Sequence, residues 1–301
     1  MPNLDQLRGS MPPLVTPFRS GKVDEKAYAS LVEFQIAEGS HGILVNGTTS
    51  EHTTLAVAER NRLVDVAIEA ARGRIPVVAA TGTQSLADTK ALTDHAVKAG
   101  ADALLIVTPA YIRAPQRGLI EYFLEVTRPY DIPWMIYHTP GRAAVSVTVD
   151  TVASLRERSR TFVGVKHASE DIGFVSECMV RFGPEFRVFI GLDEQSFPMM
   201  AVGACGLMTA TGNIVPRLLV ELCAAMGKND MAKARAIHER LLPLNRAIFF
   251  DTNPIPLKYM MKRLGLLDDN EHRLPMVRAT PETEARLDEV LRHAGVEPAM
   301  A

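Results

Sequence analysis

Short apolar runs alternate with amphipathic stretches along most of the chain. The runs are MPPLVTPF (11–18), HGILVNG (41–47), IPVVAATG (75–82), ADALLIVTP (101–109), IPWMIYHTP (132–140), FVGVKHAS (162–169), FRVFIGLD (186–193) and ACGLMTATG (204–212). Each is apolar at consecutive positions, as expected of parallel strands covered on both faces. Between them lie helix-period segments such as EKAYASLVEFQIAEG and VAERNRLVDVAIEAARG, with Gly39 and Gly73 as C-terminal stops. The spacing of about 30 residues from run to run is that of a βαβ unit, and eight runs count out one α/β barrel, a (β/α)8 TIM barrel. A doubly wound open sheet uses the same alternation but would carry a Gly-rich phosphate loop after its first strand, and TPFRSGKVD is not one. Beyond about residue 228 the strand signal stops, and the segments DMAKARAIHERLLPLNRAIFF, PIPLKYMMKRLG and TPETEARLDEVLRHAG read as helices. The expected organisation is a catalytic barrel over residues 1–228 with a helical region over 229–301 packed on it.

Composition narrows the class without altering that picture. The 301 residues carry 33 Lys plus Arg against 35 Asp plus Glu, a net charge of −2, so no basic excess points to nucleic acid or a membrane surface. No apolar run approaches the ~18 residues of a membrane span, and MPNLDQLRGSMPPL has neither a basic nor an apolar leader region, which predicts a cytoplasmic protein. Cys178, Cys205 and Cys223 are too few and too scattered for a disulfide frame or a zinc site.

Side chains at the C-terminal ends of barrel strands share one mouth, and polar residues gather at those positions. Lys166 ends a strand that should be buried, where lost solvation favours the neutral, nucleophilic amine; its plainer role is an ion pair with Asp193 or Glu51. Tyr137, one strand away, could pass protons or simply fill the barrel top. Thr48 and Thr49 follow a glycine in a βα turn, where N–H groups and hydroxyls can hold a carboxylate or merely cap a helix. Arg142 could clamp a second carboxylate or lie solvated in its loop. His41, His52, His138 and His167 lack a metal-ligand spacing and read as wall residues. With no zinc spacing, no Ser-His-Asp order and no dinucleotide fingerprint in competition, the set points to imine chemistry on a 2-oxo acid.

At these residues the sequence resembles the dihydrodipicolinate synthase / N-acetylneuraminate lyase family of class I aldolases. The likeness runs from PLVTPF (13–18) through GTTSE (47–51), TPAY (108–111), YHTPGR (137–142), GVK (164–166) and GLD (191–193) to NPIPLKYMMKRLGLL (253–267) and RLPM (273–276). It implies that Lys166 forms an imine with pyruvate, that Tyr137, Thr48 and Tyr111 form a proton relay, and that Tyr111 is lent across a subunit interface. Thr49, Arg142, Gly191 and Met208 complete the implied substrate-binding set. The imine is the electron sink, so no metal and no organic cofactor is implied. The partners are small molecules, pyruvate and an aldehyde or a 2-oxo acid, with no nucleic acid and no membrane, in a homotetramer built as a dimer of dimers. Arg142 and NPIPLK match the synthase branch, whose aldehyde is aspartate semialdehyde. Departures at Ser50 (a glycine in GTTGE), His138 (an asparagine), Ala143-Ala144 (Thr-Gly) and Leu192 imply the alternative of an aldolase or dehydratase acting on another 2-oxo acid. A barrel that binds a 2-oxo acid without turnover is the remaining class. The positions matching a feedback site for L-lysine are His52, Val57, Gln84, Asp88 and Ala110. Val57 and Ala110 cannot hydrogen-bond or stack, which predicts weak or absent inhibition by L-lysine.

Overall fold

The computed structural model describes residues 4–296. Eight parallel strands carry the fold: β1 (Gly9–Ser10), β2 (Ile43–Val45), β3 (Val77–Ala80), β4 (Ala103–Val107), β5 (Trp134–His138), β6 (Phe162–His167), β7 (Arg187–Ile190) and β8 (Gly206–Leu207). From β2 to β8 each strand pairs with the next in sequence, and β8 pairs with β1. The ring closes because the chain leaving β1 turns its other edge to β2. Leu14 N–H donates to the Leu44 carbonyl and Leu44 N–H to the Pro12 carbonyl, each at 3.0 Å, around a Pro13–Leu44 bridge. The chain is thus an α/β barrel, and the doubly wound alternative is excluded.

Around the strands lie α1 (Glu25–Ala37), α2 (Val57–Ala71), α3 (Leu86–Ala99), α4 (Gln116–Thr127), the short α5 (Pro140–Ala143), α6 (Val149–Arg158), α7 (Ile172–Phe182), α8 (Ser196–Ala201) and α9 (Pro216–Gly227). Every barrel strand falls within or beside its expected run. The first run is shorter than its apolar pattern suggests: pairing stops near Leu14, because Pro12, Pro13 and Pro17 supply no N–H. Phe18–Arg19 and Lys22–Val23 instead form a separate antiparallel hairpin, turned by Ser20 and Gly21, both at positive φ as a two-residue hairpin loop requires.

Alternation along the strands sorts two cores. Val77, Ala79, Leu104, Ile106, Trp134 and Ile136 face the helices, while Leu44, Val78, Leu105, Met135, Tyr137 and Phe189 fill the barrel interior. Trp134 anchors the outer layer, with its ring centre 4.4 Å from that of Phe162 and 5.8 Å from that of Phe123. Aromatic side chains buried this fully contribute about 1.5–3 kcal/mol each.

Past α9 come α10 (Met231–Ala247), α11 (Ile255–Arg263) and α12 (Pro281–Ala294). Leu244, Leu257, Met260 and Leu287 pack with Val15, Leu31, Ala210 and Ile214, so these helices lean on the barrel near its first and last strands. The outermost residues of the two expected regions, 1–3 and 297–301, lie outside the described residues. No helix among the described residues is long and apolar enough to cross a membrane.

Candidate active site

One irregularity in the sheet puts the lysine in the barrel. Trp134 lies opposite Phe162, but the next residue, Met135, lies opposite Gly164, so Val163 is an extra residue in β6. Phe162 faces the helices, and strict alternation from it would turn Lys166 outward as well. The extra residue reverses the phase. Val165 packs in the outer layer, and Lys166 lies beside Tyr137 on the inner side, directly opposite it in the register. Gly164 permits the kink, since a Cβ there would stand 2.0 Å from the Arg187 carbonyl oxygen.

Lys166 is buried, with its Nζ 4.4 Å from the centre of the Tyr137 ring. Burial pushes its pKa below the ordinary lysine value, against the opposing pull of Tyr137 and Asp193, and Arg142 adds to the depression. For Tyr137 burial acts upward, but Lys166, Thr48 and Arg142 outweigh it and hold the phenol below its usual value. Amine and phenol are therefore both more acidic than usual, and their contact suits them to proton transfer at one site. The carboxylates that could have trapped Lys166 in an ion pair are engaged elsewhere. Glu51 Oε1 accepts from Lys258 Nζ at 2.9 Å and lies 3.1 Å from His272 Nδ1. Asp193 Oδ1 accepts from the N–H and hydroxyl of Thr211 at 2.7 and 2.6 Å.

The Thr48–Ser50 turn follows β2 as a short 3-10 helix. The Thr48 hydroxyl is 3.1 Å from that of Tyr137. Thr49 is buried, and its Oγ1 accepts from Asn253 Nδ2 at 3.1 Å. Ser50, standing where the resembling family has glycine, needs no unusual backbone: the left-handed residues here are Asn46 (φ 60) and Glu51 (φ 56). The Ser50 hydroxyl donates to the Gly47 carbonyl at 2.7 Å, and the Thr16 hydroxyl donates to the Ser50 carbonyl at 2.8 Å. The first bond ties the turn to itself and the second ties it to the segment that follows β1.

A cavity of about 600 Å³ opens at this end, lined by Thr48, Tyr137, Thr139 and Arg142 and also by all five positions of the expected L-lysine site. Arg142 is exposed at the end of α5 and shares the cavity wall with Tyr137. Gly191 touches the lysine, since a Cβ on it would stand 2.9 Å from Lys166 Cε. Met208 is fully buried in the same interior cluster as Tyr137. Tyr111 is not brought to this mouth: it is 89% exposed, at φ 76. His138 and His167 point the other way, into the wall, with their Nδ1 atoms 3.0 Å apart and both rings against Phe174. His52 lies at the cavity, its Nδ1 3.1 Å from the Gly47 carbonyl, and burial together with Arg60 pushes it down to about 4.

Sequence reasoning missed the support behind the turn. Lys258 is fully buried, bonded to Glu51, to the Thr16 carbonyl at 3.0 Å and to the Glu271 carbonyl. It lies 207 residues from Glu51, so no local pattern could pair them. For Glu51, burial acts upward, and His272 and Lys258 prevail to keep the carboxyl below its usual range. Thr139 was also passed over, although its place just after β5 marks it; its hydroxyl helps to lower the Tyr137 phenol.

Residues 6–294 match the model of the dihydrodipicolinate synthetase family. The chain belongs to that family. Among curated dihydrodipicolinate synthetase relatives, the 4-hydroxy-tetrahydrodipicolinate synthase of Thermus thermophilus is 43% identical over 292 residues, 97% of each chain. The crystal structure of dihydrodipicolinate synthase from Aquifex aeolicus superposes with a TM-score of 0.94 at 38% identity, covering 97% of this chain and all of that one. A monomeric dihydrodipicolinate synthase variant superposes at 0.93 with 34% identity, covering 97% of this chain and 98% of its own.

Proposed function

We propose that the chain condenses pyruvate with aspartate semialdehyde through an imine on Lys166, as a 4-hydroxy-tetrahydrodipicolinate synthase does. The observation that carries this is the contact of a buried, uncommitted lysine with Tyr137, itself bonded to Thr48. The neutral amine attacks the ketone carbon, the oxygen takes up a proton to give a carbinolamine, and loss of water leaves the protonated imine. Tyr137 moves protons in both steps, with Thr48 connecting it to the cavity and Tyr111 of a neighbouring copy completing the relay. The hydroxyl and N–H groups of Thr48 and Thr49 hold the pyruvate carboxylate. Loss of a methyl proton to the relay gives the enamine, whose carbon attacks the aldehyde, and Arg142 holds the carboxylate at the far end of that second substrate. Gly191 leaves room for the Lys166 side chain, and Met208 packs with Tyr137 in the barrel interior. No metal or organic cofactor takes part in these steps.

The exposed Tyr111 supports assembly in which one copy completes the mouth of another, and the proposed form is a cytoplasmic homotetramer with the helices of 229–301 bracing each barrel. Borohydride added with pyruvate should leave a covalent adduct on the Lys166 peptide. An unmodified Lys166 would overturn the imine and the enzyme together. With a dihydrodipicolinate reductase coupled in, turnover should require both pyruvate and aspartate semialdehyde. An adduct without that turnover would point instead to an aldolase or dehydratase using another 2-oxo acid.

A further inference from the structure

A hydroxyl has one proton to give and two lone pairs to receive. The two threonines of the turn use theirs differently. The Thr48 hydroxyl is engaged with Tyr137. The Thr49 hydroxyl, among the described residues, has one hydrogen bond, received from the amide of Asn253. That bond fills a lone pair and leaves the proton uncommitted. We propose that Asn253 is a positioning residue for the keto acid: by donating to Thr49 Oγ1 it directs the Thr49 proton towards the bound carboxylate. This rests on the imine reading above, in which the turn holds that carboxylate.

Three observations converge on it. Asn253 and Thr49 are both buried, so water does not compete for the hydroxyl and its polarity is set by the amide alone. Asn253 Oδ1 is buried with no partner, an outlay of the kind that persists where a polar side chain is needed for something other than folding. Finally, Asn253 sits just before α11, and Lys258 on that helix grips Glu51 at the other end of the turn. One element therefore holds the turn at both ends, and Asn253 meets the threonine from a fixed direction.

The test is steady-state kinetics on the full-length protein, with borohydride trapping of pyruvate run in parallel. Asn253→Ala should raise the KM for pyruvate about tenfold, the loss expected of one hydrogen bond to a charged group, with kcat within about twofold and the aldehyde KM unmoved. Asn253→Asp, nearly the same shape, would accept the Thr49 proton and set a negative charge behind the site, so its pyruvate KM should rise further. Thr49→Val should raise the KM as well, and adding Asn253→Ala to it should change nothing more, because the amide acts through the hydroxyl. A pyruvate KM within twofold of the parent in Asn253→Ala, or a full further loss in the double variant, overturns the proposal. Should Asn253→Ala not accumulate as folded protein, Asn253→Asp decides by the same criterion. If the parent itself traps no pyruvate, the imine reading fails and this role falls with it; if the parent traps and the KM stays put, only the role of Asn253 falls.

Discussion

Gly191→Ala isolates the placement of the lysine from its chemistry. The φ of Gly191 is not among the positive ones, so the backbone accepts alanine; what the new methyl meets is the difficulty. It would stand 2.9 Å from Lys166 Cε and 2.9 Å from Ala168 Cβ, about 0.6 Å inside the ~3.5 Å separation of carbon atoms in good contact. On the lysine side the relief is simple, because a long side chain swings away at little energetic cost. That swing displaces Nζ from Tyr137 by a sizeable fraction of an ångström, and misplacement on this scale costs about tenfold to a hundredfold in rate. On the Ala168 side the end of β6 must yield, which destabilises by about 1–2 kcal/mol. The expected result is a folded protein melting a few degrees lower, with kcat for pyruvate condensation down at least tenfold and slower borohydride trapping at saturating pyruvate. A folded variant with kcat within twofold of the parent would show that the exact seat of Lys166 does not govern the reaction.

Arg142→Ala should raise the KM for aspartate semialdehyde by about ten- to a hundredfold, as for a lost charge-assisted pair, and leave that for pyruvate within about twofold; equal losses would make the arginine structural. The buried histidines predict an acid weakness. Burial, with His167 beside it, pushes His138 down to about 4, and burial lowers His167 too. Between pH 6.5 and 4 the unfolded chain therefore binds more protons than the folded one, so stability falls as pH drops through that window. For His138 the loss reaches about 3 kcal/mol, and urea midpoints should decline less steeply with acid in His138→Asn; parallel declines would rule the pair out as the cause. L-lysine at sub-millimolar concentration should leave pyruvate-dependent turnover unchanged, and half-maximal inhibition there would refute the expectation drawn from Val57 and Ala110.

The barrel was legible because burial on both faces leaves continuous apolar runs, and eight of them at regular spacing admit few folds. Lys166, Tyr137 and the Thr48-Thr49 turn were legible because strand ends at one mouth are where polar residues stand out. The orientation of Lys166 was not. It depends on the extra residue Val163 in β6, and the close approach of Gly164 to Arg187 that allows it is a contact between neighbouring strands, invisible in either one alone. Pairs such as Lys258 with Glu51, or Asn253 with Thr49, were hidden by separation in the chain: each member looks ordinary in its own segment. The first strand was overextended because its apolar residues continue past prolines that cannot sustain a ladder.

The closure of the ring between β1 and β8 has a consequence for how the molecule is made. On the ribosome, the first strand must wait with one edge open until Leu207 has emerged, because that residue accepts from Met11 N–H at 2.8 Å. The Thr48–Ser50 turn waits longer still for its support, since Asn253 and Lys258 arrive later in translation. Ring closure and the support of the turn therefore rest on long-range pairings, which are slow to form, and a nascent chain halted after its eighth strand would own a complete cylinder whose turn has yet to be braced.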